Sequence, residues 1–428
     1  MRWARPAAFL LAVALAPAEG ATPSDAVPAA SFGVDYVVRV SRRHPDRAEV
    51  EWLLAGIDEI VSFRLELRDD RITDVTGSGR LVRDGRTVRW TPGGPYARLR
   101  YRVAISRVRP PGARFESFAT PEWIATRAMH LFPEINVTFR SAARGRLGRG
   151  RLVFRLPEGW RSATALAPLD DDAWRVEERA ARFPRPRGWM LLGRFAAERR
   201  TVAGTELTIA TAPGSGLDVP RAVKLYEQVM PRMAALLGPP PARLLVVSAP
   251  DPMWRGGLSG EDSFFVNGGI PLRSSDKTST YLHELFHVWQ PFRPGPDGRW
   301  ISEGLAEYYS LALQRDVGRL SPERFTRGIG LLARYGEWGV DLAHTRAPAA
   351  LNNSAPFVLF RLDEEIRRAT RGRRSLDDVV RALAAARGTV STAAFTRTAS
   401  RIAGVDLGPF FRRHVFRGVR PEPVAMGH

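Results

Sequence analysis

Two histidines and a glutamate stand out in the segment "TYLHELFHVWQ", which covers residues 280–290. The chain has seven histidines, and His283 and His287 lie four residues apart with Glu284 directly after the first. A helix advances about 100° per residue, so these three side chains share one face of a predicted helix over 278–290. Two neutral imidazoles one turn apart can bind one Zn²⁺, and the adjacent carboxylate can reach a water on the metal.

The opposite side of the same helix is apolar. Leu285, Phe286 and Trp289 project from it and predict a core helix that carries one polar stripe. The alternative interpretation is a pair of hydrogen-bonded histidines that face a groove without a metal. A third metal ligand distinguishes the two interpretations, because zinc in this geometry takes three protein ligands and keeps one position open.

The third ligand is predicted sixteen residues after His287, in "WISEGLAEYYSLAL". Glu303 and Glu307 lie one helical turn apart there and project from the same side. Glu303 can complete the metal site, and Glu307 can accept a hydrogen bond from the outer nitrogen of a ligating histidine. The alternative is that both glutamates lie on a solvated helix face. We therefore expect His283, His287 and Glu303 as ligands of one Zn²⁺, with Glu307 behind them.

The elements that must position these residues differ along the chain. Residues 33–205 read as a β domain, because segments such as Asp35–Val40, Phe63–Arg68 and Arg98–Ile105 alternate apolar and polar residues between turn signals. Short strands in this arrangement suggest a sandwich. Residues 206–320 hold the predicted metal site, with a buried strand and a glycine-rich edge strand before it, and residues 321–420 read as helical.

The segments "HELFHVW" and "WISEGLAEYY" resemble the zinc helix and the following helix of gluzincin metallopeptidases, a group that includes aminopeptidase N and thermolysin. The closer resemblance is to the glycyl aminopeptidase family, and it covers roughly residues 220–418. It implies an α+β chain with a β-sandwich-like N-terminal domain, a thermolysin-like α/β catalytic domain and a C-terminal helical region. It also implies Glu284 as the general base beside the three zinc ligands.

The chain departs from that family at two functional positions. The family has a glutamate directly after Gly-Gly-Leu that binds a substrate amine, whereas "GGLSGED" has Ser259 there, with Glu261 or Asp262 as the nearest substitutes. The stretch "LNNSAP" also lacks the tyrosine and lysine of the family. Three residues are candidates for the missing oxyanion donor: Tyr335, His344 and Asn352. The family's PDZ domain is likewise not expected in this chain.

Composition limits the partners. The chain has 64 Lys and Arg against 45 Asp and Glu, a net charge of +19, and all but two of the cations are arginine. The arginines are spread along the sequence and do not alternate with aromatic residues, so no nucleic-acid module is indicated. A solvated, arginine-rich surface is the favoured interpretation, with weak electrostatic association with anionic envelope surfaces as the alternative.

The N-terminus indicates export. Arg2 and Arg5 precede the apolar stretch Ala7–Ala16, and "APA" at Ala16–Ala18 is typical of a signal-peptide cleavage site, so residues 1–18 are expected to be removed. No later segment is apolar enough to be expected to cross a membrane. The chain has no cysteine, which excludes disulfides and thiolate zinc ligands.

The predicted function is therefore zinc-dependent hydrolysis of peptide bonds in the periplasm or outside the cell, with a peptide or protein as substrate. Whether it cleaves as an aminopeptidase or an endopeptidase is left open. The alternative is an inactive or weakly active protein that keeps its zinc for stability and binds peptides or the envelope.

Overall fold

The computed structural model describes residues 32–67, 70–110, 112–140, 148–170, 172–177 and 182–422. The predicted signal segment 1–18 lies outside these ranges. The strands are β1 Phe32–Val40, β2 Arg47–Ala55, β3 Ile60–Glu66, β4 Ile72–Gly77, β5 Arg80–Asp84, β6 Thr87–Thr91, β7 Tyr96–Ala104, β8 Arg107–Arg109, β9 Arg114–Ala119, β10 Trp123–Arg127, β11 Glu134–Phe139, β12 Gly148–Arg155, β13 Arg161–Thr164, β14 Ala167–Asp170, β15 Ala173–Val176, β16 Trp189–Gly193, β17 Ala196–Val202, β18 Thr205–Thr211, β19 Arg243–Ala249, β20 Gly257–Gly260, β21 Ser263–Asn267, β22 Phe292–Pro294 and β23 Gly388–Val390.

The helices are concentrated after residue 218. They are α1 Ala128–Leu131, α2 Val219–Leu237, α3 Thr280–Trp289, α4 Arg299–Asp316, α5 Pro322–Tyr335, α6 Ala355–Ala369, α7 Leu376–Ala386, α8 Thr392–Ala403 and α9 Gly408–Phe411, with π-helical turns at Ala350–Ser354 and Arg412–Phe416. The predicted α+β class with a C-terminal helical region is confirmed. None of the helices in the described ranges is long and apolar enough to cross a membrane.

The N-terminal part is built from three sheets. A seven-stranded sheet has the order β14-β15-β12-β1-β2-β7-β4, and a four-stranded sheet has the order β11-β3-β6-β5. Their facing side chains form one core, in which Phe63 and Trp90 stack with ring centroids 5.0 Å apart. Strand β7 shows how the sequence directs this packing: Leu99, Tyr101 and Val103 are buried, while the residues between them are exposed.

In the second part of the chain, helices pack on a five-stranded sheet of order β17-β18-β19-β21-β20. Strands β18, β19 and β21 are parallel, and β20 runs antiparallel along one edge, as the glycine-rich segment predicted. One face of this sheet packs against α2, α3 and α4. The other face packs against β10 and β16 of the third sheet, β13-β16-β10-β9-β8. The predicted boundary between the β domain and the catalytic domain at residue 205 stays a prediction. Strand β17 precedes that boundary but belongs to the same sheet as β19, because both pair with β18.

The C-terminal helices pack directly on the helix that carries Glu303. Gly304 in α4 makes this possible, because a Cβ there would lie 2.9 Å from Leu359 Cδ1 and 3.0 Å from Ala355 Cβ of α6. The helical ends follow local sequence rules: Ser375 caps α7 and forms a reciprocal capping box with Asp378. Helix α4 is therefore enclosed on several sides, which limits where its glutamates can point.

A buried histidine in the N-terminal part is expected to make the folding stability depend on pH. His130 is 1% exposed, neither ring nitrogen has a hydrogen-bond partner among the described residues, and Glu116 Oε1 lies 3.7 Å from Nε2. Burial, followed by the positive charges of Arg127, Arg71 and Arg107, lowers the pKa of His130 to about 2. The folded protein therefore keeps this imidazole neutral while the unfolded chain protonates it.

We expect His130 to make the protein less stable in mild acid. An unfolded histidine has a pKa of about 6.5, so below that pH His130 costs about 1.4 kcal/mol of folding stability per pH unit. The wild-type protein and His130→Gln should be compared by urea unfolding between pH of about 7 and about 5. The slope of stability against pH should be smaller for the variant, since all other titrating groups are shared. Equal slopes would show that His130 is not held neutral.

Candidate metal centre

Helix α3 lies between the five-stranded sheet and α4, as its apolar residues require. Tyr281, Leu282, Leu285 and Phe286 are fully buried, and Phe286 stacks on Tyr309 of α4 with ring centroids 5.3 Å apart. This packing fixes the rotation of α3 about its own axis. Its polar stripe consequently faces the N-terminal half of α4.

The structure brings His283, His287 and Glu303 to one point. The two Nε2 atoms are 3.0 Å apart, and Glu303 Oε2 lies 3.5 Å from each of them. Ligands at about 2.0–2.2 Å from a tetrahedral zinc ion are separated from one another by roughly 3.3–3.6 Å. The three atoms thus form a near-regular triangle of the size of one tetrahedral face, and this donor set fits Zn²⁺.

Two further side chains orient the histidines from behind. Glu307 Oε2 lies 2.7 Å from His283 Nδ1, and Ser302 Oγ lies 3.4 Å from His287 Nδ1. A hydrogen bond from Nδ1–H to Glu307 leaves the Nε2 lone pair of His283 free for a metal. Ser302 was not predicted from the sequence. It lies next to Glu303, but an isolated serine in a helical pattern gives no signal of this contact.

The electrostatics of the cluster favour a cation at its centre. Burial by itself raises the pKa of Glu303, but hydrogen bonds with His283 and His287 outweigh it and hold that pKa well below the usual range. Burial likewise lowers the pKa of His283, and the contacts with Glu303 and Glu307 reverse this and raise it. Glu303 therefore remains charged while mostly buried, a state that a bound cation stabilises.

Glu284 lies beside the cluster, under the edge strand β20. It is 7% exposed, and burial raises its pKa. A Cβ at Gly257 would lie only 2.3 Å from Glu284 Cγ and 2.4 Å from Oε1. Only glycine at position 257 thus lets the carboxylate sit against the strand. The sequence predicted a glycine-rich edge strand but not this contact.

Strand β20 also places the residues considered for substrate binding. Successive side chains alternate between the two faces of a strand, so Ser259 lies on the same face as Gly257, towards α3. Glu261 lies at the turn between β20 and β21, four residues and roughly 13 Å along the chain from Gly257. Its side chain is 59% exposed, with Arg187 Nη1 3.5 Å away. Asp262 follows it in the turn, with φ 47°.

The three residues considered as oxyanion donors lie in the segment from α5 to α6. Tyr335 ends α5 and is exposed, His344 Nδ1 lies 2.8 Å from Asp341 Oδ2, and Asn352 is exposed in the turn before α6. Within the described ranges, none of the three forms a hydrogen bond or an ion pair with the histidine cluster. Their assignment stays a prediction.

Comparison with known proteins adds evidence at the level of the fold. No model of a known protein family matches the chain, and no curated protein sequence matches it. Among solved structures, an aminopeptidase N family protein from Idiomarina loihiensis matches with a TM-score of 0.72 and 14% identity, over 90% of this chain and 76% of that one. An M1 zinc metallopeptidase from Deinococcus radiodurans matches with a TM-score of 0.59 and 15% identity, over 94% and 96% of the two chains.

The fold is that of the M1 zinc metallopeptidases. A third match, yeast LTA4 hydrolase in complex with bestatin, has a TM-score of 0.57 and 12% identity and covers 94% of this chain and 71% of that one. The resemblance to gluzincins that the sequence indicated is thus confirmed for the architecture. The narrower resemblance to glycyl aminopeptidases stays a prediction.

The geometry predicts the order in which substitutions affect zinc binding. His283→Ala, His287→Ala and Glu303→Gln should each abolish tight binding of one Zn²⁺, because each removes one corner of the triangle. Glu307→Gln should weaken it by about 10–100-fold, since it only supports His283. Competition with a chromogenic chelator on metal-stripped protein measures these affinities.

His414→Ala is the matched control, because that imidazole bonds the main-chain oxygen of Val419, away from the cluster. It should bind zinc as the wild type does. Unchanged zinc affinity in Glu303→Gln would contradict the assignment of the third ligand.

Proposed function

We propose that this protein is a zinc-dependent metallopeptidase that cleaves peptide bonds outside the cytosol. The convergence of His283, His287 and Glu303 on one point, with Glu284 beside them, is the observation that supports the proposal most strongly. The fold likeness to M1 zinc metallopeptidases adds to it. One of the similar structures is a Deinococcus radiodurans mutant enzyme bound to a Tyr-Ser-Ala substrate, which supports peptides as the substrate class.

Each side chain has a distinct role in this proposal. His283, His287 and Glu303 hold one Zn²⁺, which when bound polarises the substrate carbonyl and lowers the pKa of a water molecule. Glu284 accepts the proton of the attacking water and returns it to the leaving amine. Its burial suits this role, because a carboxylate with a raised pKa accepts a proton more readily. Glu307 keeps His283 in the required tautomer.

The general base is tested by Glu284→Gln. The variant should keep its zinc, because Glu284 is not one of the ligands, and its kcat should fall by about 10²–10⁴-fold. Metal content and cleavage of a quenched-fluorescent peptide library are measured on the same preparation. Glu227→Gln, an exposed substitution on α2, is the control and should retain full activity. Normal turnover by Glu284→Gln would contradict this role.

We further propose that substrate binding does not depend on a free N-terminus. A carboxylate is needed to pair with an α-ammonium group, and Ser259, which shares the α3 face of β20 with Gly257, is neutral. Glu261, the substitute suggested by the sequence, lies close to Arg187 at the far turn. The protein would then accept internal or blocked peptides as well as free ones.

A panel of paired peptides with acetylated and free N-termini tests this proposal. The wild type should cleave both members of each pair at similar rates. Ser259→Glu should shift the preference towards free N-termini by roughly tenfold, the effect of one charged hydrogen bond, whereas Ser259→Gln should not. A strong preference of the wild type for free N-termini would contradict the proposal.

The same panel separates the enzyme from the alternative function, a zinc-stabilised protein that binds peptides without cleaving them. Full zinc occupancy with no cleavage of any peptide would favour that alternative. Export to the periplasm or outside, and weak association with anionic envelope surfaces through the arginine-rich surface, also remain proposals. Salt-sensitive binding to such a surface would be the signature of the second.

A further inference from the structure

A cavity lies at the C-terminal end of α4, away from the histidine cluster. Its volume is about 490 Å³. Gln314 of α4 lines it, eleven residues and roughly 16 Å along the helix from Glu303. The remaining lining comes from the start of α2, from the loop after β21 and from Arg319, which follows α4. The proposed peptidase reaction uses none of these residues.

Arg273 enters this cavity from the loop after β21 with only neutral partners. Its Nε donates to Gln314 Oε1 at 2.8 Å, and one terminal nitrogen donates to the main-chain oxygen of Arg319 at 2.9 Å. Gln314 is itself 1% exposed and donates to main-chain oxygens of Lys277 and Ser310. The Arg273 guanidinium is thus held in place rigidly, but its charge is not neutralised.

Arg319 is in a similar state. One terminal nitrogen donates to Gln228 Oε1 at 2.6 Å, and the buried Nε has no hydrogen-bond partner in the ranges that the structure describes. In the described part of the chain, neither Arg273 nor Arg319 forms an ion pair with a carboxylate. Two neighbouring cations therefore share a partly buried wall without a counter-charge, an arrangement that costs free energy unless an anion joins it.

The other charged groups at the cavity do not supply that anion. Asp218 is already paired, since its carboxylate caps the start of α2 and lies 3.2 Å from Arg221. Burial lowers the pKa of Arg273, and the positive charges of Arg319 and Arg324 lower it further, so the local potential is positive. Asp218 and Arg221 cancel each other, so the net positive charge of the lining comes from Arg273 and Arg319.

The rest of the wall is apolar. The cavity is lined beside the two guanidinium groups by four apolar residues that are at least partly exposed: Leu217, Ile270, Pro271 and Leu272. Leu225 also lies at the cavity but is 2% exposed and offers a ligand almost no surface. A small inorganic ion would leave this apolar surface in contact with water. A ligand with one anionic group and a short apolar body would cover both surfaces.

We propose that this cavity binds a small organic anion, whose carboxylate or phosphate group lies between Arg273 and Arg319 and whose apolar part contacts Leu217 and Ile270. Guanidinium groups suit this role because they present several fixed N–H donors to planar or tetrahedral oxyanions. The site is independent of the proposed peptidase function, and it can be tested by binding alone.

The competing explanation is that the two arginines only brace the loop after β21 against α4 through Gln314. The two explanations differ in the ligand-free protein. If Arg273 is only a brace, Arg273→Gln should lower the stability of the ligand-free protein. If the charges are uncompensated and reserved for a ligand, the same variant should be as stable as the wild type or more stable, because a repulsion is removed.

The experiment measures binding of hexanoate, hexyl phosphate, inorganic phosphate and hexanol by calorimetry and thermal shift on the full chain. Hexanoate or hexyl phosphate should bind, and comparison of the two identifies the preferred headgroup. Hexanol and inorganic phosphate, which each lack one of the two features, should bind at least tenfold more weakly. Arg273→Gln and Arg319→Gln should each weaken binding by roughly 10–100-fold, the effect of lost charged hydrogen bonds.

Arg397→Gln is the matched control, because it removes one exposed positive charge on α8 and should leave binding unchanged. An equal loss in Arg397→Gln would show that only the overall charge matters and would overturn the proposal. No binding of either amphipathic anion, or binding unaffected by both cavity variants, would overturn it as well. Peptide cleavage plays no part in these outcomes, so a failure here is distinguishable from a failure of the peptidase proposal.

Discussion

The packing of α3 against α4 is the constraint on which the candidate metal centre depends. Neither helix alone can hold an ion: α3 supplies two imidazoles, and α4 supplies the carboxylate that completes the triangle and a second one behind His283. The apolar contact between Phe286 and Tyr309 sets the rotation of both helices. The hydrophobic core thereby determines the positions of the charged groups, which lie on the opposite sides of the same two helices.

The sequence predicted this arrangement because the spacing of polar and apolar residues within each helix shows which side chains share a face. His283 and His287 lie four residues apart, as do Glu303 and Glu307, and this spacing places each pair on one face of a helix. The apolar residues behind each pair then indicate which face is buried. The alternating strands of the first part were predictable for the same reason, since alternation needs no knowledge of distant partners.

Contacts between distant segments were not predictable. Gly257 lies against Glu284 only because β20 crosses α3, and glycine in a glycine-rich stretch has many ordinary explanations. Arg273 and Arg319 are 46 residues apart, and in a chain with so many arginines neither is conspicuous until the fold places both at one cavity. The pairing of β17 and β18 with β19 was hidden for a related reason: alternation identifies a strand but not its neighbours.

The absence of a side chain at Gly304 limits how the contact between α4 and α6 can change during evolution. Because Gly304 has no side chain, Ala355 and Leu359 of α6 lie directly against the backbone of α4 at this point. A homologous exchange that brought in a foreign C-terminal half would have to match the surface of α4 at that spot. The helix that carries the glutamates and the helices after it therefore form one packing unit, in which side chains on α6 must fit the surface of α4.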